Sequence, residues 1–167
     1  MVVDPSGRFF AVHIRRTDKL LTKEMTDVPV VEYCQKVAAV CRQLRNSCPS
    51  HVFVMYDEGQ AFSRLKECAL QDNYSTKFLD YAMLVNMTGR NAAEFASVVH
   101  PASTSEYDQR EWFKHTQEML LSITLLAMSD QLICTFSSNV CRLAALVRGN
   151  LDSKSLHSLD DPMWHNM

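Results

Sequence analysis

The segment Phe9–Lys19, FFAVHIRRTDK, contains the features that decide the fold. It begins with apolar residues and ends with a charged run from His13 to Lys19. A strand that leaves a hydrophobic core brings its last side chains to the carboxyl edge of an α/β sheet, which is where such sheets bind ligands. Arg15 and Arg16 lie at the end of this strand, and a guanidinium group stays charged and can bind two phosphate oxygens at a time. The residue types fit a diphosphate clamp and a solvated charge run after an edge strand equally well.

The chain alternates between strand-like and helix-like segments, which indicates a parallel sheet with crossover helices. Apolar runs and apolar residues at helical spacing place these elements. The predicted strands are residues 9–15, 51–56, 77–79 and 131–136. Four helices are predicted. The first has Asp27 as its N-cap and Pro29 in its first turn, and it stops at Pro49. The second and third are residues 60–70 and 109–129, and the fourth is capped by Ser137 and Ser138 and runs through Arg148 to Gly149. Residues 81–108 carry loop signals around a short helix.

Composition limits the class of protein. The 167 residues are 47% hydrophobic and 22% charged, and no repeat or linker divides them, so residues 1–167 are predicted to form one globular domain. The net charge of −2 gives no general attraction to nucleic acid or acidic lipid, so an anion site must be local. We find no apolar run of membrane-spanning length and no signal-peptide pattern at the N-terminus.

A second candidate site is Ser137-Ser138-Asn139, at the turn from the last predicted strand into the last helix. The first turn of a helix has N–H groups without partners in the helix and the positive end of the dipole, so it can bind an anion. An ordinary helix cap is the alternative, and for these residues alone it is the simpler one. The four glycines form neither a dinucleotide fingerprint nor a P-loop, so phosphate binding must use arginines and a helix N-terminus.

Three blocks resemble the α-1,6-fucosyltransferase family, which core-fucosylates N-glycans: His13–Lys19, Cys134–Arg142 and His157–Asp161. They occur in the family's order, and the resemblance spans about residues 9–161. It implies a Rossmann-like parallel sheet with flanking helices, similar to the donor-binding half of a GT-B glycosyltransferase. It also implies that GDP-fucose is the donor and that no metal or other cofactor takes part.

The resemblance implies roles for residues at both candidate sites. Arg15 would neutralise the β-phosphate of the leaving GDP, while Ser137, Ser138 and Asn139 donate hydrogen bonds to the diphosphate. The nucleotide-binding set implied by the family is His13, Arg15, Arg16, Asp18, Asp57, Glu58, Ser137, Ser138, Asn139 and Arg142. A histidine satisfied at a strand end is the alternative for His13. Asp57 and Glu58 would reach the nucleotide or tune Arg15, and a helix cap explains that acidic pair equally simply.

Transfer with inversion needs a carboxylate to accept the proton of the incoming GlcNAc 6-hydroxyl. Glu24 is the candidate once one extra residue near Lys23 is allowed in the match, and an exposed loop glutamate is its alternative. Asp18 and Lys19 would together organise the site and form part of a proton relay. The implied catalytic set is Glu24, Lys19 and Arg15.

The cysteines number six and form no C-x-x-C pair, which argues against a zinc ribbon. The family resemblance implies a disulfide between Cys134 and Cys141. The other four cysteines fall at core-like positions or near a turn, and we expect them to be buried thiols.

The chain also departs from the family pattern. Ser122 stands where the family has an aspartate that helps to hold the nucleotide. The acceptor half, the SH3 domain of animal members and an N-terminal membrane anchor are missing from the match, so we expect a fragment of a Golgi-lumen enzyme that meets its N-glycan acceptor through an absent half. The alternative is a catalytically inactive domain that acts as a binding or assembly module.

Overall fold

The computed structural model describes residues 8–16, 27–44, 48, 51–57, 60–71, 77–80, 109–149 and 154–160. The predicted loops of 81–108 lie outside these ranges, as do Asp18, Lys19, Glu24 and Glu58. The elements are β1 (Phe10–Ile14), α1 (Val30–Leu44), β2 (His51–Tyr56), α2 (Ala61–Gln71), β3 (Lys77–Asp80), α3 (Gln109–Met128), β4 (Gln131–Cys134), α4 (Asn139–Arg148) and β5 (Leu156–Ser158).

Within the described residues, the strands form one five-stranded sheet in the order β3-β2-β1-β4-β5. Every neighbouring pair is parallel; for example, Val12 of β1 is in register with Val54 of β2 and Ile133 of β4. The predicted α/β class with a Rossmann-like parallel sheet is therefore confirmed. Strand β5 was not predicted, because three residues are too short a segment to show an apolar period.

Strand β1 contributes to two hydrophobic layers, one on each face of the sheet. Phe10, Val12 and Ile14 belong to a buried cluster that includes residues of α1 and α2. Ala11 belongs to a second cluster that includes residues of α3 and α4. Alternate strand residues face opposite sides, so a near-continuous apolar strand is what a doubly covered parallel sheet requires.

The start of α1 differs from the prediction, whereas the end of α4 agrees with it. Helix α1 begins at Val30, so the prediction that Asp27 is its N-cap is wrong. The Asp27 carboxylate instead pairs with Arg16. At the other end of the chain, Gly149 ends α4 with φ 68°, and its N–H donates to the Leu146 carbonyl at 3.1 Å. Glycine adopts this left-handed backbone without a steric cost, as the sequence predicted.

Two disulfides correct the expectation of buried thiols. Cys34 of α1 pairs with Cys68 of α2, and their Cα atoms are 6.2 Å apart. Cys41 pairs with Cys48, with a Cα separation of 4.8 Å. Core-like spacing did not reveal these bonds because pairing depends on the distance between two chain segments.

In the described part of the chain, we find no helix both long and apolar enough to span a bilayer.

Candidate functional site

The candidate site lies at the carboxyl edge of the sheet, between the ends of β1 and β4. These strands are neighbours, but β1 leads through α1 towards β2, whereas β4 leads through α4 towards β5 on the other side. The two connections diverge, and such a switch point opens a crevice in an α/β sheet. Arg15 and Arg16 therefore lie on one side of the crevice, and the turn at residues 135–138 lies on the other.

Asp57, just after β2, holds the backbone and side chain of the arginine pair. Its carboxylate accepts the Arg16 N–H at 2.8 Å and lies 3.3 Å from Nε of Arg15. Its own N–H donates to the Ile14 carbonyl at 3.3 Å. The carboxylate thus orients Arg15, which is the tuning role considered for Asp57 from the sequence. The alternative role as a helix cap does not fit, because α2 begins only at Ala61.

The second arginine has a different partner. The Arg16 guanidinium lies 3.0 Å from Oδ1 of Asp27, before α1. Its side chain is 17% exposed, whereas that of Asp27 is 60% exposed. This ion pair therefore joins the segment after β1 to the segment before α1 at the rim of the crevice.

His13 is buried on β1, two residues before Arg15. Burial, and secondarily the charge of Arg15, lowers the pKa of His13 to about 3. Its Nδ1 atom has no hydrogen-bond partner among the described residues. The ring is therefore neutral at physiological pH, so it can contact a nucleotide as a hydrogen-bonding group but cannot add positive charge.

The turn before α4 is held by Asp160, which follows β5. The Asp160 carboxylate accepts the N–H of Phe136 at 2.6 Å and the N–H of Ser137 at 3.1 Å. It also accepts the hydroxyls of Ser137 and Ser158, the latter at 2.9 Å. Ser138 is at the N-cap position of α4, but its side chain makes no capping hydrogen bond. The alternative that the hydroxyl groups of Ser137 and Ser138 cap this helix is therefore wrong.

These hydrogen bonds determine the charge of Asp160. Burial alone raises the pKa of this carboxyl group. The hydrogen bonds from Ser137, Ser158 and Phe136 together outweigh burial and hold the pKa below its ordinary value. The group is therefore an ionised carboxylate at neutral pH, with its charge shared among several donors.

Arg142 supports the same turn from within α4. Its guanidinium donates to the Ser137 carbonyl at 3.3 Å. The Nε atom is buried and has no hydrogen-bond partner among the described residues. Asn139, the first residue of α4, is exposed.

A disulfide closes this turn. Cys134 at the end of β4 is joined to Cys141 in the first turns of α4, with Cα atoms 6.2 Å apart. This is the pair that the family resemblance implies. Both cysteines are fully buried, so the disulfide holds the turn on its buried side. The Asp160 carboxylate holds the backbone of the same turn.

Sequence reasoning missed Tyr33 and Thr135, which lie beneath the crevice. Both are fully buried, and neither hydroxyl has a hydrogen-bond partner within the described ranges. Burial raises the pKa of Tyr33 above its usual range, and the nearby charge of Asp160 adds to the rise. The tyrosine belongs to the apolar period of α1, so nothing in the sequence distinguishes it from an ordinary core residue.

The third sequence block attaches β5, and hence Asp160, to the sheet. His157 Nε2 lies 2.8 Å from the Gln131 side-chain oxygen on β4. Burial lowers the pKa of His157 to about 4, with smaller contributions from the charges of Lys36 and Arg148. The neutral ring therefore links the two strands at physiological pH.

Ser122, where the family has an aspartate, is fully buried on α3. Its hydroxyl donates to the Glu118 carbonyl at 2.9 Å, within the same helix. The serine is therefore satisfied locally. Over the described ranges, no group of three His, Cys, Asp or Glu side chains is arranged to hold a metal ion.

Comparison with known proteins identifies the family. Residues 7–164 match the family model for alpha-(1,6)-fucosyltransferase N- and catalytic domains. The chain is also similar to the alpha-(1,6)-fucosyltransferase of Drosophila melanogaster, with 31% identity over 160 residues. The aligned region is 92% of this chain and 22% of the fly protein, so the chain spans about a fifth of the length of this relative. The family match covers most of the sequence, and the chain therefore belongs to the alpha-(1,6)-fucosyltransferase family.

Proposed function

We propose that this chain is the C-terminal, GDP-fucose-binding part of an α-1,6-fucosyltransferase. The single observation that carries the proposal is the position of Arg15: Asp57 orients it at the end of β1, and the start of α4 follows the neighbouring strand β4. A fixed guanidinium and a helix N-terminus at one switch point are suited to a diphosphate.

In this proposal, the diphosphate lies at the carboxyl edge between β1 and α4. Arg15 neutralises the charge that develops on the β-phosphate as GDP leaves, and it is preorganised for this by Asp57. The N-terminal turn of α4, which begins at Asn139, contributes backbone N–H groups and the positive end of the helix dipole, whereas the Ser138 N–H already donates to the Thr135 carbonyl at 3.1 Å. Positive charge from these groups neutralises the leaving diphosphate, so the mechanism needs no metal ion.

The remaining residues would complete the donor site. His13 contacts the nucleotide as a neutral ring, because burial keeps its pKa at about 3. Arg16 borders the site through its ion pair with Asp27. Asp18, Lys19 and Glu58 keep the roles that the family resemblance implies for them.

The acceptor is the 6-hydroxyl of the innermost GlcNAc of an N-glycan, and the anomeric carbon is inverted on transfer. Glu24 accepts the hydroxyl proton, which requires the acceptor to lie within about 3 Å of the carboxylate. The glycan is held by a part of the enzyme beyond this chain, which is consistent with the chain matching 22% of its relative. The proposed compartment is the Golgi lumen.

Ser122 favours a second function. A serine that is buried and bonded within its own helix cannot act as the carboxylate that the family uses to hold the nucleotide. The second candidate is therefore a domain that keeps the fold and the arginine pair but acts as a binding or assembly module without transferring fucose.

Calorimetry of GDP binding tests the donor site. Arg15→Ala should weaken GDP binding by about tenfold or more, because it removes a charge-assisted contact. Arg8→Ala is the matched control: Arg8 also pairs with an aspartate, Asp130, but these residues lie at the amino ends of β1 and β4. Equal loss of affinity in both variants, or no GDP binding by the unmodified chain, would contradict the proposal.

A further inference from the structure

All three polar groups of Ser137 are engaged within the protein. Its N–H and its hydroxyl both donate to Oδ2 of Asp160, the former at 3.1 Å. Its carbonyl accepts a hydrogen bond from the Arg142 guanidinium at 3.3 Å. Ser137 is therefore a poor direct ligand for a phosphate, even though it stands in the turn where the family resemblance places a phosphate donor.

The acidic partner is also saturated. Oδ1 of Asp160 accepts the Phe136 N–H at 2.6 Å and the Ser158 hydroxyl at 2.9 Å, while Oδ2 accepts the two donors of Ser137. An ionised carboxylate has about four acceptor positions, and here each oxygen receives two hydrogen bonds. This arrangement distributes the negative charge over donors of the protein, which reduces its repulsion of a neighbouring anion.

We propose that Asp160 is a positioning residue for the donor diphosphate. It fixes the Phe136–Ser137 turn from the neighbouring strand, so that the N–H groups of the first turn of α4, which begins at Asn139, are already oriented when the nucleotide arrives. Ser137 acts through Asp160 and does not contact phosphate itself. This inference rests on the proposed binding of GDP-fucose.

The position of Asp160 in the fold supports this role. It follows β5, which pairs with β4 directly beside the turn. The Leu159 N–H donates to the Cys134 carbonyl at 2.9 Å, so the segment that carries Asp160 is tied to the end of β4. A turn held by a carboxylate on one side and by the Cys134–Cys141 disulfide on the other has little freedom to reorganise when an anion binds.

The test compares GDP with GMP, which lacks the β-phosphate, by calorimetry on the folded chain. Asp160→Asn keeps one acceptor oxygen but loses the charge, and we expect GDP affinity to fall about tenfold while GMP affinity falls much less. Asp130→Asn is the matched control, since Asp130 likewise accepts a backbone N–H, from Phe9 at 3.0 Å, but at the opposite edge of the sheet. The control should leave the ratio of GDP affinity to GMP affinity unchanged.

A double-mutant cycle separates a positioning role from a general loss of stability. Since Ser137 acts through Asp160, Ser137→Ala should lower the ratio of GDP affinity to GMP affinity. Adding this substitution to Asp160→Asn should lower the affinity ratio little further. If Asp160→Asn does not fold, Ser137→Ala alone must still lower the ratio. Equal losses for GDP and GMP, additive effects, or tighter GDP binding by Asp160→Asn would each overturn the inference.

Different results would contradict the proposed function and the role of Asp160. If the unmodified chain binds no GDP, both the donor site and the role of Asp160 are wrong. If it binds GDP with an Arg15-dependent affinity but Asp160→Asn leaves the ratio unchanged, only the positioning role is wrong.

Discussion

The Arg15 guanidinium lies 3.3 Å from the Asp57 carboxylate, which ties the end of β1 to the end of β2. The same carboxylate accepts the Arg16 N–H at 2.8 Å. One aspartate therefore fixes both the backbone and the charged side chain of the segment that is proposed to receive the diphosphate.

Asp57→Ala should weaken GDP binding and destabilise the fold. The variant leaves Arg15 without this ion pair and the Arg16 N–H without this acceptor, at a cost of about 1–3 kcal/mol in the free energy of unfolding. Denaturant titration measures the stability, and calorimetry measures GDP affinity. Unchanged GDP affinity in a destabilised variant would mean that Asp57 supports the fold but does not orient Arg15 for a ligand.

The two short disulfides provide a matched pair of variants. Cys134–Cys141 and Cys41–Cys48 each span seven positions, so each should contribute a similar loop-closure term of about 2–3 kcal/mol. Replacing either pair with alanine should lower the melting temperature, but only loss of Cys134–Cys141 should also lower GDP affinity. A similar loss of GDP affinity in both variants would contradict a specific role for the turn.

Asp160 should make stability sensitive to acid. Its folded-state pKa lies below the unfolded value of about 3.9, so its contribution is fully present above that pH and is lost as the pH falls through the folded-state pKa. Asp160→Asn should therefore be less stable than the unmodified chain at pH 7, and this difference should shrink in more acidic solution. Denaturant unfolding at pH 7 and at about pH 3 measures it, and a constant difference would contradict the hydrogen-bonded carboxylate.

Ser122→Asp tests the departure from the family pattern. The position is fully buried, so an aspartate without a partner should destabilise the free protein. GDP should bind the variant more tightly and raise its melting temperature more than that of the unmodified chain, because a carboxylate is a stronger acceptor than a hydroxyl for the donor groups of the nucleobase. Ser122→Asn is the neutral control, and an equal gain for both variants would exclude a role for the charge.

The isolated chain should transfer negligible fucose from GDP-fucose to a biantennary N-glycan. Catalysis requires both substrates to be positioned, and this chain matches only 22% of its relative. Ser122→Asp should not restore transfer. A glycan assay followed by mass spectrometry measures the product, and robust fucosylation by the unmodified chain would show that it holds its acceptor unaided.

The sequence by itself determined the alternation of strands and helices and the location of the arginine pair. Each of these features is local. The spacing of apolar residues can be recognised within one segment of the chain, and Arg15 directly follows the last buried residue of β1. Strand β2 was predicted at its observed bounds, His51–Tyr56, because its apolar run is uninterrupted and ends in acidic residues.

Only the tertiary structure decided how distant groups combine. Asp160 reaches Ser137 across 23 positions, and Asp57 reaches Arg16 across 41, because parallel strands bring their carboxyl ends to the same edge. The pairing of Cys34 with Cys68 likewise depends on the packing of α1 against α2. Local periodicity contains no information on such distances, so the sequence located the candidate site while the sheet order selected the partners that hold its charged groups in place.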